Sequence, residues 1–267
     1  MSGELPRSVH QSAVLPLQSR LRPLVRQFQI DRFHMLRVPK QRATRQPRNQ
    51  RTRGSARLAS TRQLTCTAVV AKGVARILMV RHGQSEWNAL GKWQGQEDPP
   101  LTELGVDQAM RAGQVLGAFD LIASSDLQRA ALTASVIAEV IGIGPVHIDD
   151  RLRETFVGPW QGLTRKEIES QWPGWIKDGR RPTEAETETD VAIRAHAALL
   201  DLAAVIGTGE ILVVSHGGTI RALRRHLGGD DERFGNLEGS WFTVKNDQVI
   251  HGESAYLLDH TGADETL

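Results

Sequence analysis

The sequence holds a single cysteine, Cys66, and a single tyrosine, Tyr256, among 267 residues. One thiol cannot close an intrachain disulfide, which fits a cytoplasmic chain, and it rules out a cysteine-based zinc site. Apolar runs stay strand-sized and none approaches the roughly 18 residues needed to cross a bilayer, so no membrane helix is expected. Acids are nearly missing from one end: residues 1–70 carry 14 of the 33 Lys and Arg, but only Glu4 and Asp31 of the 31 acidic residues. The formal net charge of +2 therefore hides a basic segment near +12 joined to an acidic body near −10.

Large apolar residues are also sparse between Arg7 and Arg62, where arginines recur with neither a helical nor a strand period. A stretch of this composition buries too little to order itself. Residues 1–70 therefore read as an extension, and three origins stay open: a disordered arm or upstream start-site artefact, an organelle transit peptide, or an electrostatic arm for nucleic acid or anionic lipid. Without interleaved aromatics, nucleic-acid contact is disfavoured and would concern this arm alone. Residues 71–256 are expected to form one domain, and residues 257–267 a frayed tail.

What is present is organised around Ile77-Leu78-Met79-Val80-Arg81-His82-Gly83-Gln84-Ser85, a buried-strand run ending in arginine, histidine and glycine. The same plan recurs at Ile211-Leu212-Val213-Val214-Ser215-His216-Gly217-Gly218. Two strands thus deliver two imidazoles to one sheet edge. Between and after them, strand patterns at Leu121–Ser124 and Val146–Ile148 alternate with helices. Thr102 is expected to cap a helix carrying Ala109, Val115 and Leu116. Asp126 is expected to cap the helix 127–140, with Ala131, Ala134, Ile137 and Ala138 inward. Thr164 opens a helix stopped near Pro173, and Asp190 is expected to cap one burying Ile193, Ala197, Leu200 and Ala204. A hairpin turns at Asn246-Asp247. The alternation gives an α/β fold, a three-layer sandwich with a mostly parallel central sheet and helices on both faces.

Neutral imidazole is a nucleophile near pH 7, and phosphorus is an electrophile it can attack in line. Arginine supplies the planar, permanently charged fork that neutralises phosphoryl oxygens. Arg81-His82-Gly83-Gln84-Ser85 with Asn88 resembles the signature of the histidine phosphatase superfamily, the phosphoglycerate mutase-like fold. Three later motifs agree in order: Ser124-Ser125-Asp126-Leu127-Gln128-Arg129-Ala130, Leu152-Arg153-Glu154 followed by Gly158-Pro159-Trp160-Gln161-Gly162, and Ser215-His216-Gly217. The resemblance implies that His82 is phosphorylated while Arg81, Asn88, Arg129 and His216 hold the phosphoryl group. It also implies that Glu154 protonates the leaving oxygen and then activates water. Ser85, Gly95 and Gly217 are candidate substrate contacts. No metal and no cofactor enter this scheme.

Taken singly, each feature has a plainer reading: a hydrogen-bonded structural histidine, or a surface Glu154 paired with Arg153. The tryptophans Trp87, Trp93, Trp160, Trp172 and Trp175 are expected to pack rather than to wall a substrate. His147, His196, His226 and His251 show no ligand spacing. The expected activity is a metal-independent phosphomonoesterase acting on a small phosphorylated metabolite, a sugar phosphate or phosphoglycerate derivative. The alternatives are a cofactor-dependent phosphoglycerate mutase, favoured by the Arg180-Arg181 pair, and a phospho-ligand binding module with weak catalysis. The Glu154–His216 interval lacks the longer lid insertion of the mutases, which favours the phosphatase. Pro182-Thr183-Glu184-Ala185-Glu186-Thr187 departs from the Pro-x-Gly-Glu-Ser segment of many phosphatases by losing its glycine, so the resemblance fixes neither the local lid conformation nor the substrate. A cytoplasmic enzyme, and a homodimer through an edge strand, are compatible with the sequence.

Overall fold

The computed structural model describes residues 73–258. The expectations for residues 1–70, and for the tail from residue 259 onward, lie outside the described residues. Six strands form one sheet in the order β3-β2-β4-β1-β5-β6. They are β1 (Val74–Arg81), β2 (Leu121–Ser124), β3 (His147–Ile148), β4 (Gly209–Ser215), β5 (Glu238–Lys245) and β6 (Gln248–Tyr256). The first four in that order run parallel, and β5 and β6 return antiparallel. The expected sandwich with a mostly parallel sheet is thus the observed one.

The helices are α1 (Glu86–Ala89), α2 (Glu103–Val115), α3 (Gln128–Ile141), α4 (Arg165–Gln171), α5 (Glu188–Ile206) and α6 (Gly217–His226). Side chains alternate across a strand, and both faces of β1 are buried. Ile77 and Met79 join a core with Ile211, Val213 and Phe242 under Ala195, Leu199 and Leu202 of α5 and Ile220 and Leu223 of α6. Leu78 and Val80 are equally buried on the opposite face, the side on which α3 covers β2 and β4. Such two-sided burial explains why β1 and β4 are continuous apolar runs rather than alternating ones.

Several local expectations need correction. Asp126 does not cap α3, whose first turn has no side-chain cap. Its carboxylate is taken instead by Arg153, at 2.7 and 2.5 Å. Thr187 rather than Asp190 caps α5, and Asp190 lies one turn in, accepting from the Thr187 hydroxyl at 2.6 Å. The buried face of α5 is Val191, Ala192, Ala195, Ala198, Leu199, Leu202 and Ala203, leaving Ile193 and Ala204 exposed. Val115 is likewise exposed at the end of α2. The hairpin is confirmed, with Asn246 and Asp247 at φ 52° and 59°, the conformation that short Asn/Asp turns supply.

Candidate active site

Parallel pairing in register sets Arg81 beside Ser215, and the His82 amide continues the ladder by donating to the Ser215 carbonyl at 3.0 Å. The next residue on each chain is the histidine. The two rings meet edge to face with centroids 5.2 Å apart, both fully buried. Gly83 follows because the backbone is crowded there. A Cβ there would lie 2.4 Å from the Gly105 carbonyl oxygen, and one on Gly105 would lie 2.1 Å from that of Gln84. The loop leaving β1 and the start of α2 touch backbone to backbone.

His82 is held in one tautomer. Its Nδ1 lies 2.6 Å from the Gly83 carbonyl, which can only accept, so Nδ1 carries the proton and Nε2 the lone pair. Nε2 faces Arg129, whose Nε–H donates to it at 3.2 Å. Burial, and then the charges of Arg129 and Arg81, hold the His82 imidazole well below its ordinary range. His216 is lowered likewise by burial, with Arg129 and His82 next in weight. Both rings are therefore neutral at pH 7. Both nitrogens of His216 are buried and unpartnered among the described residues, a costly state unless something polar docks there.

Arg129, in the first turn of α3, is fully buried. Its Nη1 and Nη2 donate to the carbonyls of Glu97 at 2.6 Å and Gly95 at 2.8 Å. Burial draws its pKa down to about 10, so the charge survives at neutrality. Arg81 donates through Nη1 to the Phe234 carbonyl at 2.9 Å, and the Cδ of the same side chain bounds the space above Gly217. Gly95 enters the site through its own carbonyl, which accepts from Arg129 Nη2 and orients that side chain. Ser85 and Asn88 form a capping box on α1. The Ser85 hydroxyl is buried and directed to Gln94 Oε1 at 2.8 Å, so it supports the loop instead of pointing outward. Asn88 uses Oδ1 on the Ser85 amide at 3.2 Å, so the sequence expectation for it rests on its amide nitrogen.

Glu154 reaches the same place from the loop after β3. Its Oε1 accepts from the Thr155 amide at 2.7 Å and its Oε2 from the Gly218 amide at 3.1 Å. Arg153, the plainer partner for this carboxylate, is turned away onto Asp126. Gly218 was not singled out by sequence reasoning, yet a Cβ on it would lie 2.4 Å from Glu154 Oε1. Arg194 was also missed. From the middle of α5 it donates to the carbonyls of Arg151, Arg153 and Glu154 at 2.6–3.1 Å. No motif surrounds it, and an arginine in a long helix carries no sequence signal of its target.

Beside the site, Trp160 is fully buried in a cluster with Trp93, Trp172 and Trp175, the packing role expected of them. The Arg180-Arg181 pair divides. Arg180 lies over Trp175 with its guanidinium 5.0 Å from the ring centre, whereas Arg181 sits over Trp93 and Trp160 at 5.5 and 5.3 Å. Among the described residues no group of three or more His, Cys, Asp or Glu is placed to hold a metal ion, and no helix is long and apolar enough to cross a membrane.

Two histidines at adjacent parallel strand ends, two arginines and one carboxylate come together at this sheet edge, the residue types that phosphoryl transfer uses. The chain belongs to the histidine phosphatase superfamily (branch 1), whose pattern matches residues 77–245. Among individual relatives, glucosyl-3-phosphoglycerate phosphatase from Mycolicibacterium vanbaalenii is 41% identical over 168 residues, 58% of this chain and 74% of the relative. The 2,3-bisphosphoglycerate-dependent phosphoglycerate mutase of Methylorubrum extorquens is 35% identical over 167 residues, covering 57% and 79%. The solved structure of a mycobacterial glucosyl-3-phosphoglycerate phosphatase complexed with VO3 superposes with a TM-score of 0.58 at 35% identity, covering 66% of this chain and 96% of the other.

Proposed function

We propose that this chain is a phosphomonoesterase that hydrolyses a small phosphorylated metabolite through a phosphohistidine on His82. The observation that carries the reading is the fixed tautomer of His82, with Nδ1–H on the Gly83 carbonyl and the Nε2 lone pair turned toward Arg129. The phosphoryl group would lie between Arg81, Arg129, His216 and the Asn88 amide. As Nε2 attacks phosphorus, Arg129 Nε–H passes from the imidazole to a phosphoryl oxygen, so the charge that restrained the nucleophile now stabilises the transferred group. The ester P–O bond breaks, and the leaving oxygen takes a proton from the Glu154 carboxyl. In the second half, Glu154 as carboxylate accepts a proton from water attacking phosphorus. The P–N bond then breaks and its electron pair returns to Nε2.

The mycobacterial phosphatase relatives point to phosphoglycerate-derived monoesters as the substrate class. A mutase reading is kept by the 35% identical mutase relative and by Arg181, which lies at the tryptophan cluster. Phosphate release by the full chain from 3-phosphoglycerate, glucosyl-3-phosphoglycerate and p-nitrophenyl phosphate, beside a mutase assay primed with 2,3-bisphosphoglycerate, tests the choice. Release without isomerisation, lost in His82→Ala, is expected. Isomerisation without release would transfer the proposal to the mutase, and binding with neither would leave a ligand-binding module. The catalytic unit in this proposal is residues 71–256. A cytoplasmic location and a homodimer through a sheet edge belong to it too, checked by fractionation and by sedimentation of the full chain.

A further inference from the structure

The general acid of the proposed mechanism lies in an irregular segment, where nothing in regular secondary structure holds it. The chain runs through a single 3-10 turn, Asp150–Leu152, and then Arg153 to Val157 without helix or strand. Its four successive carbonyls are nonetheless all taken. Leu152 accepts from the Ser215 hydroxyl and Arg153 from the Thr219 hydroxyl, each at 2.7 Å. Arg151, Arg153 and Glu154 converge on one guanidinium, that of Arg194, at 2.7, 2.6 and 3.1 Å. The same guanidinium grips Glu186 in two-pronged fashion, Nε to Oε1 at 2.7 Å and Nη2 to Oε2 at 2.9 Å.

The count is informative. Arginine has five N–H donors. Nε–H goes to Glu186, the two Nη1 hydrogens to Arg151 and Arg153, and the two Nη2 hydrogens to Glu154 and Glu186. Five donors meet five acceptors in a pair whose side chains are only 18% and 21% exposed. Glu186 also accepts from the Phe156 amide at 3.1 Å through Oε2, and its own amide donates to the Phe156 carbonyl at 2.8 Å. The ion pair therefore brackets Glu154 on both sides along the chain. Lysine, with three donors on a flexible stem, could not satisfy this set.

The geometry points to Arg194 as the positioning residue of the reaction: together with Glu186 it fixes the backbone from Arg151 to Phe156, so that the Glu154 carboxyl is presented to the leaving oxygen. This inference rests on the acid role proposed for Glu154. Arg194 touches neither the nucleophile nor the carboxyl, so its loss should leave phosphoryl binding and attack by His82 in place while misplacing the proton donor. A misplacement of an ångström costs on the order of a hundredfold in rate.

The test compares two leaving groups in the full-length chain. The value of kcat/KM reports steps up to phosphohistidine formation and so excludes the later hydrolysis. An alkyl phosphate such as 3-phosphoglycerate needs its leaving oxygen protonated, whereas p-nitrophenolate departs without a proton. Arg194→Met is expected to lower kcat/KM for the alkyl ester about 10- to 100-fold, and for the aryl ester less than about threefold, with inhibition by vanadate unchanged. Arg194→Lys should show the same split at smaller size, and it serves as the readout if the methionine variant does not fold. Glu154→Gln provides the reference split. Equal losses on both esters, or no loss on either, in the Arg194 variants would overturn the inference if Glu154→Gln still discriminates. If Glu154→Gln does not discriminate, the acid assignment itself fails and the inference with it.

Discussion

Gly218→Ala separates stability from catalysis within one atom. Gly218 is the second residue of α6, and its φ lies outside the left-handed region, so alanine is tolerated by the backbone. On propensity alone the change should favour the helix by up to roughly 1 kcal/mol, less so in the first turn. The new methyl would stand 2.4 Å from Glu154 Oε1 and 3.2 Å from Thr155 Oγ1, where ordinary contact begins at 3.4 Å. The carboxylate oxygen is the end of a flexible side chain and retreats by about 1 Å at little cost to the fold. That displacement is of the size that lowers rate by about a hundredfold, roughly 2.7 kcal/mol of transition-state stabilisation. Steady-state kinetics on 3-phosphoglycerate and p-nitrophenyl phosphate, beside a thermal melt, would measure both sides. A melting temperature equal to or above wild type is expected, with a large loss on the alkyl ester and a small one on the aryl ester. Full activity on both esters, or a collapse of stability with uniform loss, would refute the placement of Glu154 against α6.

His82 and His216 have folded-state pKa values below the ordinary 6.5, so neither affects stability above that pH, where folded and unfolded chains are both neutral. As pH falls below about 6.5 the unfolded chain takes up protons that the folded one refuses, so stability falls, by at most about 3 kcal/mol for the two sites together at pH 5.5. Denaturant midpoints at pH 7 and 5.5 check this, and an unchanged midpoint would contradict the buried neutral pair. Inorganic phosphate brings negative charge between the rings and should be bound with net proton uptake by the protein at pH 6. Calorimetry in buffers of differing ionisation enthalpy reads it directly, and heats independent of buffer would speak against anion binding there.

The sequence announced the proposed nucleophile because its position is set by strand logic: an apolar run buried on both faces, then His82 or His216 where the sheet ends. Arg129 and Glu154 were legible only through motif order, since nothing in their immediate neighbours predicts that they converge on the two histidines. Arg194 was invisible, because three of its five acceptors are backbone carbonyls 40 to 43 residues away and carbonyls leave no mark in a sequence. The face of α5 was misjudged for a related reason. Its alanines and leucines make it apolar nearly all round, so periodicity cannot choose between Ile193 and Ala192. The tertiary contacts decide by placing Arg194 against the loop of the acid. Asp126 had the residue type of a cap, but Arg153 competes for the same carboxylate and offers it two charged hydrogen bonds. Gly218 escaped notice because a glycine pair after a strand suggests backbone freedom, and its role is the space it leaves for Glu154.

The most direct measurement is acid-free rapid quenching of the full chain during turnover of a ³²P-labelled substrate from the active set, followed by peptide mapping. Acid-labile, alkali-stable label on the peptide containing His82, absent from His82→Ala, is the expected result. Rapid hydrolysis with no covalent label at any quench time, or label on another residue, would contradict the assignment of His82 as the nucleophile.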